Sequence, residues 1–211
     1  MRVLNRNIPV LIVLLVLVAT LPVLGEGIIL HEPDRRAIPM LVSKNQNLRK
    51  YGTGVVVGPT TILTAEHVTA ERMEVLLPKA AVTGQTICRA RYEDLAVVKA
   101  PLPKNTPYYR LSFRTPAVGE TVRVGGYPNR KWQVTTGRIT HIIASATLSG
   151  RLVKSPMIVF KPALHQGASG SPVLDNRGQV IGIFVASNRQ SNYSIAFPNA
   201  TALQACRKFV R

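Results

Sequence analysis

From Ile38 onward the chain alternates short, β-branched apolar runs with polar breaks rich in Gly, Pro, Asn and Asp. Runs of this length and composition read as strands. They fall at Ile38–Val42, Gly54–Val57, Thr61–Thr64, Met73–Leu77 and Leu95–Val98, and again at Glu120–Val124, Trp132–Ile143, Met157–Phe160, Val180–Val185 and Tyr193–Phe197. A Pro-rich stretch from Pro101 to Pro116 separates the two sets and reads as a linker between halves of similar size. No helical periodicity of useful length occurs until the end, where Asn199 or Thr201 would cap a short helix running to about Phe209. The pattern predicts an all-β protein, a sandwich or barrels, without solenoid repeats or low-complexity tracts.

The first residues belong to a different physical class. Arg2 and Arg6 precede an uncharged apolar run over residues 8–24, followed by small Gly25 and polar Glu26. This is the layout of a secretory signal peptide. As a helix the run would reach roughly 25 Å, against a hydrocarbon thickness of about 30 Å, so a retained signal anchor stays open beside a cleaved leader. Either way the arginines stay on the cytoplasmic side and the remainder is expected to be exported.

Composition narrows the picture. Hydrophobic residues make up 46% of the 211-residue chain and charged residues 18%, which excludes wholesale disorder. Aromatics are scarce, so Val, Ile, Leu and Ala must build the core. The 27 Lys and Arg outnumber the 10 Asp and Glu, a formal net charge of +17. Such a surface favours loose association with anionic surfaces. The basic residues are scattered, with no basic tail or stripe interleaved with aromatics, and a specific nucleic-acid reader is not expected. Cys88 and Cys206 are the only cysteines. They form no disulfide framework and no metal spacing. A single bridge is open to an exported chain, but two buried free thiols are the favoured reading. Neither a metal nor an organic cofactor is expected.

Three stretches carry candidate chemistry. Ser169 stands between small neighbours, Gly167, Ala168 and Gly170, so a substrate can approach its hydroxyl. A glycine two residues before a serine also lets two backbone N–H groups converge on a developing oxyanion. A tight turn with a polar tip would explain this stretch equally well. A serine hydroxyl needs an adjacent base. His67 closes the stretch Thr61–His67, just after an apolar strand, and imidazole can accept and return a proton near neutral pH. His31, His141 and His165 compete, and position alone does not choose. Asp94 opens the apolar run Leu95–Val98, where a partly buried carboxylate needs a donor such as an imidazole N–H. Glu93 is its rival. The chain order His, Asp, Ser is one of the known triad orders.

With these residues in hand the chain resembles the trypsin-like superfamily, and within it the HtrA/Deg-type protease domains. Gly52-Thr53-Gly54 with Val55–Val57 resembles the family's opening strand, Thr64–Val68 its histidine motif and Asp94–Val98 its aspartate motif. Gly125–Pro128, Thr136–Ile139, Gly167–Pro172, Gly178–Ile183 and Tyr193–Pro198 resemble the second-barrel segments, the nucleophile loop among them. The resemblance runs from about Tyr51 to Ala205. It implies two six-stranded antiparallel β-barrels, with a cleft between them. His67, Asp94 and Ser169 would be the catalytic residues, and the N–H groups of Gly167 and Ser169 the oxyanion hole. Ala163 would stand at the base of the primary substrate pocket and favour a small or medium apolar side chain. Polypeptide substrates and an acyl-enzyme at Ser169 follow, and homo-oligomers are common among such proteases. The implied division is a leader over 1–25, a linker over 26–36, barrels over 37–104 and 119–198 joined by 105–118, and a terminal helix over 199–211.

Departures from the family pattern bear on this. Ser171 replaces a usual glycine, Glu66 precedes the histidine where smaller residues are common, and Ala168 replaces the aspartate that binds a new N-terminus in zymogen-type proteases. A PDZ domain, which many HtrA-type proteins append, is not expected after the terminal helix. Three other readings stay open. One is a catalytically silent binding module for an anionic partner, which salt-sensitive affinity would reveal. Another is a viral or phage processing protease of limited specificity. The third is an esterase, which would turn over small esters without cutting unfolded protein.

Overall fold

The computed structural model describes residues 31–45, 48–148 and 150–210. The leader and its apolar run lie outside them, and no helix among the described residues is long and apolar enough to cross a membrane. Two closed six-stranded barrels make up the fold. The first holds β1 (Met40–Asn45), β2 (Leu48–Gly58), β3 (Thr61–Ala65), β4 (Arg72–Leu77), β5 (Ala80–Ala90) and β6 (Leu95–Lys99), in the order β1-β2-β3-β6-β5-β4. The second holds β7 (Thr121–Gly126), β8 (Gln133–Leu148), β9 (Arg151–Lys161), β10 (Pro172–Leu174), β11 (Val180–Asn188) and β12 (Tyr193–Pro198), in the order β10-β11-β12-β9-β8-β7. All pairings within the barrels are antiparallel.

The apolar runs without alternation are the strands covered on both faces. Ile62–Ala65 of β3 and Leu95–Val98 of β6 are buried throughout. Their antiparallel register sets Ala65 opposite Leu95, so the residues leaving β3 and those entering β6 meet at one rim of the barrel. Two strands had no clear sequence signal. β5 buries only Gly84 and Ala90 fully, and β10 is three residues long. Both are fixed by neighbours on each side rather than by their own pattern.

The Pro-rich connection is stitched to both barrels. The Tyr109 N–H donates to Val56 O, the Ser112 N–H to Val180 O, and the Val180 N–H to Arg110 O. Tyr109 is buried, which pushes its phenol above the usual range, and its hydroxyl donates to Glu32 O and accepts from the Asp34 N–H. The long β8–β9 hairpin crosses to the first barrel, where the Lys154 N–H donates to Tyr92 Oη at 2.7 Å.

Two expectations require correction. The terminal helix α1 spans only Asn199–Ala202, followed by turns and a 3-10 turn at Arg207–Phe209, and neither Asn199 nor Thr201 caps it. The Asn199 amide is drawn inward instead, donating to Ser112 O at 3.1 Å and Val180 O at 2.6 Å. The cysteines are not free thiols. Cys88 of β5 and Cys206 are joined in a disulfide across 118 residues, because the segment after α1 packs back onto the first barrel, a proximity that sequence spacing could not show.

Candidate active site

The rim where β3 ends and β6 begins brings a histidine and an aspartate together. His67 sits in a 3-10 turn, Glu66–Val68, directly after β3. Asp94 precedes β6 in a left-handed conformation, φ 50°, which Asp tolerates better than most residues. Its backbone carbonyl accepts the Glu66 N–H at 3.0 Å. Its carboxylate is used twice: Oδ1 accepts the His67 N–H at 2.9 Å, and Oδ2 lies 2.6 Å from His67 Nδ1. The ring nitrogen facing a carboxylate carries the proton, which leaves Nε2 as an acceptor. The Asp94 side chain is 26% exposed and the His67 ring about half exposed. The rival Glu93 makes no such contact. Glu66 is turned away to Arg89, whose guanidinium donates to Glu66 Oε1 at 2.9 Å and also to Thr69 Oγ1.

Ser169 comes from the loop before β10. His67, Gly167 and Ser169 line one cavity of about 530 Å³ between the barrels, together with Arg49, Lys50 and Arg130. The competing histidines are placed elsewhere: His31 and His165 are exposed, and His141 lies exposed on β8.

Backbone geometry sets the direction of the N–H groups in this loop. In a trans peptide, C=O and N–H point oppositely. Gln166 O accepts the Asn129 N–H at 2.8 Å, and Ala168 O accepts the Ser171 N–H at 2.9 Å. The Gly167 and Ser169 N–H groups are thereby turned the other way, and neither has an acceptor among the described residues, whereas those of Ala168 and Gly170 do. Glycine is required twice. Gly167 has φ 95°, and a Cβ there would meet Tyr127 O at 2.5 Å. Gly170 has φ 87°, and a Cβ would meet Thr53 O at 2.0 Å.

In the sequence Thr53 is only one letter of the Gly52-Thr53-Gly54 motif, yet it ties the barrels together at this loop. From β2 its N–H donates to Ser169 O at 2.8 Å and its hydroxyl to Gly167 O at 2.9 Å. The same hydroxyl accepts the Tyr127 N–H at 3.0 Å, and Thr53 O accepts from Thr64 Oγ1 at 2.7 Å. Burial pushes the Tyr127 phenol upward. Ser171, fully buried, has an Oγ without a hydrogen-bond partner among the described residues, and a Cβ on Gly126 would lie 2.1 Å from it. Ala163 lies outside the cavity wall, with its N–H donating to Asn192 Oδ1 at 2.9 Å. Among the described residues no group of three His, Cys, Asp or Glu side chains could hold a metal ion.

Residues 52–183 match the profile of the trypsin-like peptidase domain. Among solved structures, the active form of the Rv3671c protease from M. tuberculosis superposes with a TM-score of 0.75 at 22% identity, covering 82% of this chain and 81% of that one. The serine endoprotease from Yersinia pestis gives 0.69 at 26% identity, covering 84% of this chain and 64% of that one. The HtrA-type protease AlgW, solved with a tripeptide, gives 0.73 at 24% identity over 84% of this chain and 61% of its own. Double barrel and family profile agree: this chain belongs to the trypsin-like peptidase family, and the solved proteases share its fold.

Proposed function

We propose that the protein hydrolyses internal peptide bonds of polypeptides through His67, Asp94 and Ser169, by way of an acyl-enzyme. The observation that carries this reading is the 2.6 Å contact between His67 Nδ1 and Asp94 Oδ2, made at the cavity that Ser169 also lines. Ser169 Oγ attacks the scissile carbonyl carbon while its proton passes to His67 Nε2. The resulting oxyanion is received by the Gly167 and Ser169 N–H groups, which have no acceptor among the described residues. Collapse breaks the C–N bond, and His67 returns the proton to the departing amine. Water then repeats the attack on the ester, with His67 again as base, and frees the acid. Asp94 holds the ring tautomer and stabilises the imidazolium without taking its proton. Ala163 is kept as the base of the pocket for the residue before the scissile bond.

The same reading places the enzyme outside the cytoplasm, exported or held by residues 8–24. The Cys88–Cys206 bridge supports this, since disulfides persist in oxidising compartments. The test is labelling of residues 26–211 with a fluorophosphonate probe, with casein digestion in parallel. Both activities are expected in the wild type and absent from Ser169→Ala and His67→Ala. A folded wild type that neither labels nor digests would overturn the proposal.

A further inference from the structure

The cavity at the active site has an uneven charge that the peptidase chemistry does not use. Its wall carries Arg49 and Lys50 from β2 and Arg130 from the turn after β7, and it includes no Asp or Glu. Among the described residues none of these three cations pairs with a carboxylate. Lys50 and Arg130 are held in place by other means. Lys50 Nζ donates to His67 O at 3.4 Å, which sets an ammonium beside the base. The Arg130 guanidinium lies over the Tyr51 ring, 5.3 Å from its centroid. Asn129 and Arg130 are consecutive non-glycine residues with positive φ, 51° and 65°. The Asn129 N–H holds this bend to Gln166 O and the Arg130 N–H holds it to Tyr127 O. Strained backbone kept by specific hydrogen bonds at a cleft is a recognised mark of a working position.

We propose that this cavity binds acidic side chains of the polypeptide substrate, in the first two or three residues after the scissile bond. The inference rests on the peptidase reading for its sidedness. Ala163, assigned to the pocket for the residue before that bond, lies outside the cavity wall, so the cavity falls to the leaving-group half. A volume of about 530 Å³ suits one or two side chains and their backbone. Three cations with no acid among them attract a carboxylate and repel Lys or Arg, so they select by exclusion as well as by attraction.

Binding is tested without turnover, using the Ser169→Ala protein and fluorescein-labelled Ala-rich decapeptides carrying two Glu or two Lys. The Glu peptide is expected to bind at least about tenfold tighter at low ionic strength, about 1.4 kcal/mol, with the ratio falling as salt is added. Adding Arg49→Gln, Lys50→Gln and Arg130→Gln together should bring the ratio within about twofold. Adding Arg35→Gln, Lys79→Gln and Lys104→Gln instead, three cations lining a second cavity, should leave it in place. Equal binding of the two peptides, or an equal loss in both triple variants, would overturn the proposal in favour of bulk charge. With the wild type, mass spectrometry of a casein digest should show Asp and Glu enriched just after the cut. Enrichment before the cut would refute the assigned side. Fluorophosphonate labelling of Ser169 scores the peptidase reading separately, and the binding arm decides the acidic preference in either case.

Discussion

Replacing Thr53 with valine removes one hydroxyl and almost no volume. That hydroxyl donates to Gly167 O at 2.9 Å and accepts the Tyr127 N–H at 3.0 Å, and the Thr53 side chain is buried. Valine would keep the packing and leave a carbonyl and an N–H without partners. Each group so stranded costs about 1–3 kcal/mol, which places the loss at roughly 2–6 kcal/mol against a usual total of about 5–15. Strain will also appear at the nucleophile loop, because Gly167 O fixes the peptide that leads into Ala168. Thr53→Ser keeps the hydroxyl and loses a methyl, for roughly 1 kcal/mol. Urea unfolding gives the stability difference, and the rate of fluorophosphonate labelling on the folded protein gives the effect on Ser169. Thr53→Val should label at least about tenfold more slowly than Thr53→Ser, in keeping with a shift of about 1.4 kcal/mol or more. A valine variant as stable and as quickly labelled as the serine variant would refute the role assigned to the hydroxyl.

Three further outcomes follow from the same structure. Gly170→Ala combines a left-handed φ with a Cβ 2.0 Å from Thr53 O, and should cost more than about 3 kcal/mol, seen as insoluble or unlabelled protein; a stable, active variant would contradict the geometry. Cys206→Ser opens the bridge across 118 residues and should lower stability by about 2–5 kcal/mol; identical urea midpoints for oxidised, reduced and mutant protein would show that the bridge does not bear on stability. Glu120 is held below the usual carboxylate range by its hydrogen bond to Arg114, opposed by partial burial and aided by the Ala117 N–H. A depressed carboxylate contributes stability above its unfolded pKa and loses it as pH falls through the folded one. The urea midpoint of the wild type should therefore exceed that of Glu120→Gln at about pH 6, and the difference should shrink as the pH falls below the ordinary carboxylate range; a difference independent of pH would count against the pairing.

What could be read from the sequence was what a residue's own chain neighbourhood determines. β3 and β6 announced themselves because strands buried on both faces are apolar without interruption. The same buried register carries His67 and Asp94 to one rim. β5 carries no clear sequence signal because its stability comes from β4 and β6 on either side, while its own residues are mostly half exposed. The capping expected of Asn199 failed because a buried amide found two carbonyls across the fold, Ser112 O and Val180 O. Cys88 and Cys206 could not be paired from spacing, since only tertiary packing brings them together. Thr53 was visible as a letter in a motif, but its two-way hydrogen bonding was not. Arg49 and Lys50 are adjacent on β2, but Arg130 lies in the other barrel, so no local pattern marks the three as one charged wall.

The connection between the barrels has a bearing on the enzyme's lifetime. By composition, the Pro-rich stretch is where one protease molecule would be expected to cut another. Substrates enter a cleft as extended chain with free amides, able to pair with the enzyme. Here the amides of Tyr109 and Ser112 and the carbonyl of Arg110 are already committed to Val56 and Val180, and Asn199 holds Ser112 O from behind. The segment can be offered to another copy only after this local structure opens. Survival among its own kind is then governed by how often those few hydrogen bonds part together, and not by how cleavable the residues look.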